Sequence, residues 1–287
     1  MSKDSRRDKK RAKLAQSVPM PKIGRIERNP VVWLVGIIFS LILPWMFQIK
    51  PLRYKHLPKK TGYVLVGNHC TNLDGVGMAY FGFWWLKRMP HFLAKEAIFR
   101  VPVLGWTLLK LGQVPIFRDG KNRNDEPLRA AIHYLKAGQV LVMYPEGTLT
   151  REPNMWPMRG KPGAVRMALE AGVPVYPFGQ WGTEEVAPQY VNKFHPSPFK
   201  KMRIIIGDEV NLDQYRGHKT TQEEQVEATQ LVMKEITKLV EELRGEKAPT
   251  ELFDPAKHGM TATGNFKKVA AAETASAATG KKKGKRK

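Results

Sequence analysis

Short apolar runs that alternate with helical patterns are the feature that most constrains the fold of this chain. Four such runs, flanked by Gly, Pro or Asn, begin near residue 62: Tyr63–Val66, Gln139–Tyr144, Val173–Phe178 and Met202–Ile206. Runs of this length with few polar residues are typical of strands that are buried on both faces. Helical patterns lie between them, for example over Asp125–Ala137 and Gly163–Ala171. The alternation predicts an α/β fold in which helices pack on a sheet.

A last helix is predicted before residue 245. Thr220 or Thr221 begins a capping box with Glu223 or Glu224, apolar residues follow at helical spacing, and Gly245 is a suitable stop. Beyond residue 249 the periodicity is lost, and the chain ends in a low-complexity Ala/Lys segment. We therefore expect a folded domain over residues 58–248 and a basic tail over 249–287.

The stretch Val31–Ile49 contains no charged residue. A straight helix of this length would span about 28 Å, roughly the hydrocarbon thickness of a bilayer. Pro44 should kink the helix or end it at Leu43. Basic residues lie on both sides of the stretch, so the positive-inside rule does not set an orientation. We expect residues 31–57 to be a kinked, membrane-associating segment that dips into one leaflet; a buried N-terminal core helix is the alternative.

The positive charge is concentrated at the two ends of the chain. Lys+Arg number 48 and Asp+Glu 26, for a net charge of +22. The N-terminal arm, residues 1–30, carries +7, and residues 265–287 carry another +7, which leaves +8 for the rest. This partition argues against a specific nucleic-acid-binding fold and favours an anionic membrane surface as partner. The single cysteine, Cys70, excludes an intrachain disulfide and a zinc site built on paired cysteines.

The first candidate site follows the run Tyr63–Val66 and reads Gly-Asn-His-Cys-Thr-Asn-Leu-Asp. It places His69 at a strand end and Asp74 five residues later, where a helix begins. An imidazole and a carboxylate at this spacing can pair within one turn. The carboxylate then holds one ring nitrogen as a donor and leaves the other free to take a proton. Taken alone, such a pair is a weak signal, because a histidine before a helix often serves as a cap.

Three further blocks follow in a fixed order: Gly-Gln-Val-Pro-Ile-Phe-Arg ending at Arg118, Tyr-Pro-Glu-Gly-Thr over residues 144–148, and Val-Pro-Val-Tyr-Pro-Phe over residues 173–178. With these four blocks, the sequence resembles the glycerophosphate and lysophospholipid acyltransferase family, bacterial 1-acylglycerol-3-phosphate acyltransferases in particular. The resemblance covers roughly residues 60–210. It implies a mixed central sheet flanked by helices, as in the glycerol-3-phosphate acyltransferase-like fold.

The resemblance also implies roles for the first block. His69 would be the general base that accepts the hydroxyl proton of the acyl acceptor, and Asp74 would orient and stabilise the imidazolium. The leaving thiol would then take the proton back, so no acyl-enzyme is required. Lys95 and Arg118 match family positions that contact the phosphate of the acceptor, and the fork of an arginine suits two phosphate oxygens. A solvated surface position is the alternative for each of these two cations.

The third block implies further substrate contacts. Glu146 is expected to be an orienting acceptor for the glycerol or for Arg118, Gly147 to permit a tight turn, and Thr148 to cap and donate. The family often has arginine directly after Gly-Thr, where this chain has leucine, and Arg151 is the candidate substitute. Lys161 precedes a predicted helix, so the cation and the helix N-terminus could attract phosphate together; a solvated loop lysine is the alternative.

These inferences predict an acyltransferase at the cytoplasmic face of the cell membrane. It would move a fatty acyl chain from acyl-CoA or acyl carrier protein to the free hydroxyl of 1-acyl-glycerol-3-phosphate (lysophosphatidic acid), giving phosphatidic acid. We expect no metal and no tightly bound cofactor, because base catalysis and phosphate binding cover the reaction. The alternatives are an enzyme for another lysophospholipid or polyol, and a non-catalytic basic membrane-binding protein. The oligomeric state is left open.

Overall fold

The computed structural model describes residues 30–54, 56–116, 126–190 and 193–260. Within these ranges, seven strands form one sheet in the order β1-β7-β6-β2-β5-β3-β4. The strands are β1 (Gln48–Arg53), β2 (Tyr63–Gly67), β3 (His91–Lys95), β4 (Val114–Ile116), β5 (Val140–Met143), β6 (Val175–Trp181) and β7 (Lys201–Ile206). All neighbouring strands are parallel except β6 and β7, which are antiparallel. The predicted mixed sheet is confirmed.

Six α-helices pack around the sheet in the described part of the chain. They are α1 (Pro30–Met46), α2 (Asp74–Phe81), α3 (Leu104–Lys110), α4 (Glu126–Lys136), α5 (Gly163–Ala171) and α6 (Gln222–Arg244). A π-helical turn, Gly82–Leu86, continues α2. The predicted capping box at the start of α6 forms between Thr221 and Glu224, and Gly245 ends this helix with a φ of 68°.

The central strand β2 separates two hydrophobic cores. Val64 and Val66 point to one side, where they pack with buried residues of α4, α5 and α6. Tyr63 and Leu65 point to the other side, where they pack with residues of α1 and α2. Because side chains alternate along a strand, a run of five buried residues can serve both cores at once. This three-layer arrangement explains why β2 has no polar side.

The strands β1, β3 and β4 were not predicted. Each lies at or next to an edge of the sheet, and β1 and β3 are largely exposed or half-buried along their length. Edge strands do not need the continuous apolar runs that identify buried strands. Because β1 lies within residues 31–57, part of the stretch that the sequence assigned to the membrane belongs to the sheet.

The helix α1 excludes one of the two alternatives predicted for Pro44. The helix does not end at Leu43: it includes Pro44 and ends at Met46, and Ile49 lies in β1. Proline in a helix interior costs about 3 kcal/mol. Leu43 and Phe47, on either side of this turn, are both buried in the core under α1, and burial of each contributes roughly 1.5–3 kcal/mol. The packing therefore offsets the lost hydrogen bond.

Only one side of α1 packs on the protein. Val32, Gly36 and Leu43 are buried, and the indole Nε1 of Trp84 donates to the Ser40 hydroxyl at 2.8 Å. Most of the remaining apolar side chains of α1 are exposed. At 17 residues α1 is a short helix, and over the ranges that the structure describes no helix combines the length and apolar character needed to cross a membrane.

The chain after α6 returns to the loop that follows β5. Phe253 forms a bridge with Met158, and its carbonyl accepts from the backbone N–H of Arg159 at 2.9 Å. The guanidinium of Arg244 lies between the rings of Trp156 and Trp181, at 3.9 and 4.4 Å from their centroids. Residues 249–260, at the start of the predicted tail, thus pack against residues 156–159.

Gly62 and Gly163 offer a matched test of the close packing at Gly62, just before β2. A Cβ at Gly62 would clash with the backbone carbonyl of Leu135, whereas a Cβ at Gly163 meets no atom within 4 Å. We expect Gly62→Ala to lower the free energy of unfolding by about 1–3 kcal/mol, the usual cost of overpacking. Gly163→Ala should be neutral or slightly stabilising. Thermal and urea unfolding measure both; equal stability of the two variants would contradict the packing around Gly62.

Candidate active site

Four parallel strands bring the predicted site residues to one edge of the sheet. β2, β5, β6 and β3 run in the same direction, so their carboxyl ends lie together. His69 follows β2, Glu146 follows β5, Thr183 follows β6, and Lys95 is the last residue of β3. We call the end of the sheet formed by the carboxyl ends of these four strands the site edge. In open α/β sheets, ligands bind outside the carboxyl ends of strands, so the topology supports a site here.

His69 and Asp74 form the expected pair. The Nδ1 atom of His69 lies 2.9 Å from Oδ2 of Asp74, whose side chain is 0% exposed, whereas the His69 side chain is 20% exposed. The same Oδ2 accepts from the backbone N–H groups of Cys70 at 2.7 Å and Thr71 at 2.8 Å. Asp74 is also the first residue of α2, where the helix dipole favours a negative charge. The carboxylate therefore has a fixed position and fixes the imidazole.

Three further contacts hold His69 in place. Its backbone N–H donates to Oε1 of Glu146 at 2.9 Å, and its carbonyl accepts from the N–H of Thr150 at 2.7 Å. The imidazole stacks on the ring of Tyr144, with centroids 4.2 Å apart and planes 13° apart. With Nδ1 directed at Asp74, the Nε2 atom makes no hydrogen bond to the described residues. The geometry leaves Nε2 available to take a proton from a substrate.

Glu146 accepts backbone hydrogen bonds that hold the loop after β2. Its Oε1 holds the backbone of His69, and its Oε2 accepts from the N–H of Met158 at 3.2 Å. Burial raises the pKa of Glu146 to about 8, although these hydrogen bonds act in the opposite direction. Both oxygens are thus engaged by backbone groups. The predicted role toward glycerol or Arg118 stays a prediction, because Arg118 lies among residues 117–125, outside the described ranges.

The predicted cations lie in different surroundings. Lys95 is exposed at the end of β3, next to Ile116 of β4. Lys161 donates its backbone N–H to the carbonyl of Pro145 at 2.8 Å. Its Nζ lies over Gly147, which has a φ of +70° and would place a Cβ 3.2 Å from that nitrogen. Gly147 therefore forms the predicted tight turn, with a lysine above it.

Arg151 is buried, in contrast to Lys95 and Lys161. It is 2% exposed, and its side chain hydrogen-bonds that of Tyr190, which also interacts with Thr148. The Tyr190 hydroxyl donates to the carbonyl of Leu149 at 2.9 Å. Arg151 is thus part of the packing of this loop. Substrate binding by Arg151 and by Thr148 stays a prediction.

The sequence analysis missed the residues that join β2 to β6. The Asn68 side-chain amide donates to the carbonyl of Gln180 at 2.9 Å, and its Oδ1 accepts from the N–H of Gln180 at 2.9 Å. The Thr183 hydroxyl donates to Oδ1 of Asp74 at 2.5 Å. The sequence offered one indication of a role for Gln180 and Thr183: both lie shortly after the predicted strand Val173–Phe178. No spacing rule linked residues 109 positions apart.

The buried Glu146 should make stability depend on pH. A carboxyl group whose pKa is raised on folding binds its proton more tightly in the folded state. Its contribution to stability is therefore present below the unfolded value of 4.5 and is lost as pH rises through about 8. We expect Glu146→Gln to flatten the fall in free energy of unfolding between these values, measured by urea denaturation. Glu170→Gln, at a half-exposed helix position, is the control; equal slopes in both variants would contradict the assignment.

The sequence of this chain is similar to those of known acyltransferases. A family model described as Acyltransferase matches residues 50–181. The chloroplastic 1-acyl-sn-glycerol-3-phosphate acyltransferase BAT2 of Brassica napus is 31% identical over 140 residues, which are 47% of this chain and 37% of that protein. The 1-acyl-sn-glycerol-3-phosphate acyltransferase of Bacillus subtilis (strain 168) is 25% identical over 204 residues, 71% of this chain and 94% of that protein.

A solved structure has the same fold. The crystal structure of the 1-acyl-sn-glycerophosphate (LPA) acyltransferase, PlsC, from Thermotoga maritima aligns with a TM-score of 0.57 at 24% identity, over 76% of this chain and 81% of that one. This chain spans only about a third of the chloroplastic relative. The matched residues 50–181 include His69, Asp74 and Glu146. The match to the Acyltransferase family model agrees with the resemblance that the four ordered sequence blocks carry.

Proposed function

We propose that this protein is a 1-acylglycerol-3-phosphate O-acyltransferase. It transfers a fatty acyl chain from acyl-CoA or acyl carrier protein to the free hydroxyl of lysophosphatidic acid, and phosphatidic acid is the product. The observation that carries the proposal is the His69–Asp74 pair, which leaves Nε2 of His69 open at the site edge of an Acyltransferase-family domain. The names of the relatives from Brassica napus and Bacillus subtilis support the acceptor.

The chemistry follows from the position of the imidazole. Asp74 accepts a hydrogen bond from Nδ1–H, so Nε2 is the basic nitrogen. Nε2 takes the proton of the acceptor hydroxyl as its oxygen attacks the thioester carbonyl. A C–O bond forms, the C–S bond breaks, and the leaving thiolate takes the proton from Nε2. No acyl-enzyme is needed. Cys70 is a poor nucleophile, because burial raises the pKa of its thiol and the negative charge of Asp74 adds to the effect.

The phosphate of the acceptor requires cations near this base. We propose Lys95 at the end of β3, Arg118 shortly after β4, and Lys161 above the Gly147 turn as its ligands. The N-terminus of α5 begins two residues after Lys161 and offers backbone N–H groups to the same anion. Arg151 completes the set that the sequence predicted, but its guanidinium must leave Tyr190 before it reaches a phosphate.

We propose that the exposed face of α1 contacts the membrane. The side chains of this face repeat at helical spacing and are 44–73% exposed: Trp33, Leu34, Ile37, Ile38, Leu41, Ile42 and Trp45. A large continuous apolar surface marks an interaction site rather than ordinary protein surface. The tryptophans suit the lipid–water interface. A lipid surface is the partner that fits a helix whose opposite side already packs on the protein.

Exposed apolar residues also flank the site edge on both sides. Near β1 and β7, Phe199 is 85% exposed beside the end of α1, where the N–H of Ser197 donates to the carbonyl of Met46 at 2.9 Å. Beyond β3, Val103 is 78% exposed and has a φ of 63°, which is costly for a β-branched residue. His69 follows the central β2, between these flanks. A bilayer that touches both would face the site.

The basic ends fit the same surface. Residues 1–29 and 265–287, which lie outside the described ranges, each carry +7. Each Lys or Arg near an anionic leaflet contributes on the order of 1 kcal/mol. Lys200 and Lys201 add two cations beside Phe199. We therefore place the enzyme on the cytoplasmic face of the cell membrane.

The first test is thiol release from oleoyl-CoA in the presence of lysophosphatidic acid. We expect acceptor-dependent release by the wild type and a loss of about 10²–10⁴-fold in His69→Ala, the usual contribution of a general base. His133→Ala, at an exposed position of α4, is the control and should retain activity. Full activity of His69→Ala would contradict the mechanism.

Other acceptors give the remaining outcomes of that assay. Release only with another lysophospholipid or a polyol would replace the proposed acceptor. The absence of release with any acceptor, from folded wild type, would favour a non-catalytic membrane-binding protein.

The second test measures binding to vesicles of phosphatidylcholine and phosphatidylglycerol. Replacing Trp45 and Phe199 by serine removes two large exposed side chains, each worth roughly 1.5–3 kcal/mol when buried. We expect the partition coefficient to fall at least about tenfold, with unchanged turnover in detergent. Leu231→Ser, at an exposed apolar position of α6 away from the site edge, is the control. Equal binding of the three proteins would contradict this membrane surface.

A further inference from the structure

Asp74 carries its charge in a fully buried position. Among the described residues its only ion-pair partner is His69, and no lysine or arginine contacts it. A buried carboxylate costs several kcal/mol unless hydrogen bonds compensate for the lost water. The residues that donate to Asp74 therefore replace the lost water and decide how the carboxylate is turned toward the imidazole.

The two oxygens of Asp74 differ in their donors, and Oδ1 also receives one from outside the loop after β2. Oδ2 receives His69 and two backbone N–H groups, all from the loop after β2. Oδ1 receives two hydroxyl groups, from Thr71 at 3.2 Å and from Thr183 at 2.5 Å. The Thr71 hydroxyl also accepts from the N–H of Leu73 at 3.1 Å. The shorter contact to Oδ1 comes from Thr183, in the turn that follows β6.

The chain around Gln180 and Gly182 positions the Thr183 hydroxyl. Asn68 and Gln180 bind each other through three hydrogen bonds, which fix the end of β6 beside the loop after β2. Gly182 follows with a φ of 116°, and a Cβ there would clash with the carbonyl of Lys201. This turn directs Thr183, which is 1% exposed, at Asp74. A change at any step of this path would move the hydroxyl away from Oδ1.

The surroundings of Asp74 are otherwise acidic. Burial raises the pKa of Glu146 to about 8 and that of Glu184 to about 7, and the charge of Asp74 adds to both shifts. Burial also raises the pKa of Tyr144, and the charge of Asp74 adds to this shift. None of these groups can compensate a second negative charge. Neutral hydrogen-bond donors are the means by which this site holds a carboxylate.

We propose that Thr183 is a positioning residue for the His69–Asp74 pair. Its hydroxyl holds Oδ1, which keeps Oδ2 aligned with Nδ1 of His69. The proton then stays on Nδ1, and Nε2 remains the base. This inference rests on the proposed acyl transfer for its effect on turnover. The effect on the imidazole itself does not depend on the substrate.

The test compares Thr183→Val, which keeps the shape and removes the hydroxyl, with Thr183→Ser, which keeps the hydroxyl. Thr183→Val leaves the Thr71 hydroxyl, at 3.2 Å, as the side-chain donor to Oδ1. The carboxylate is then less firmly held toward Nδ1 of His69, so kcat should fall about 10–100-fold. The KM values for donor and acceptor should be unchanged, and Thr183→Ser should retain most of kcat. Thr229→Val removes another buried hydroxyl, which donates to the carbonyl of Gln225 at 2.7 Å; it should not change kcat.

A double-mutant cycle separates positioning from general damage. In an Asp74→Asn background, Thr183→Val should have little further effect, because the carboxylate that it supports is absent. An equal loss of kcat in both backgrounds, or a Thr183→Ser variant as slow as Thr183→Val, would overturn the proposal. Circular dichroism and thermal unfolding confirm that each variant is folded.

A readout without turnover keeps this test independent of the proposed function. In ¹⁵N-histidine-labelled protein, Thr183→Val should shift the Nδ1 and Nε2 resonances of His69, and Thr183→Ser should leave them near their wild-type positions. If the wild type does not acylate lysophosphatidic acid but these resonances move, the proposed function fails and the role of Thr183 stands. If the wild type is active and Thr183→Val changes neither resonances nor kcat, the role of Thr183 fails alone.

Discussion

The burial of β2 on both faces and along both edges is the constraint around which this protein is arranged. Its backbone pairs with β5 and β6, and its side chains alternate between two cores. A strand in this position has no freedom of register, because a shift of one residue would exchange the side chains of the two cores. The loop after it therefore begins at a fixed point, and His69 takes its position from the most constrained element of the fold.

Around this point the protein keeps one buried charge and suppresses others. Asp74 is surrounded by backbone N–H and hydroxyl donors, whereas burial raises the pKa of both Glu146 and Glu184. Asp74 and Glu146 are both inaccessible to solvent, but Asp74 has more hydrogen-bond donors and an adjacent imidazole. Carboxyl groups of one chemical type thus serve as an ion that orients His69 and as a support for its backbone.

The outer surface carries large apolar side chains that are exposed to solvent. The exposed side of α1, Phe199 and the turn at Val103 keep large apolar side chains in solvent, which opposes solubility. They lie along α1 and on both flanks of the site edge, not at random over the protein. In the function that we propose, a surface arranged in this way would bring a substrate with an acyl chain close to His69. The arrangement connects the fold to the lipid chemistry that we propose.

The sequence by itself determined the buried strands, the capped helix α6 and the pairing of His69 with Asp74, because each depends on residues that are close along the chain. Periodicity, capping and short motif spacing act over one or two turns, and so they can be read locally. Tertiary structure decided the rest: the edge strands β1, β3 and β4, the passage of α1 through Pro44, and the contact of Thr183 with Asp74. These features depend on packing between distant segments, whose contribution outweighs local preference and is not visible until the chain has folded.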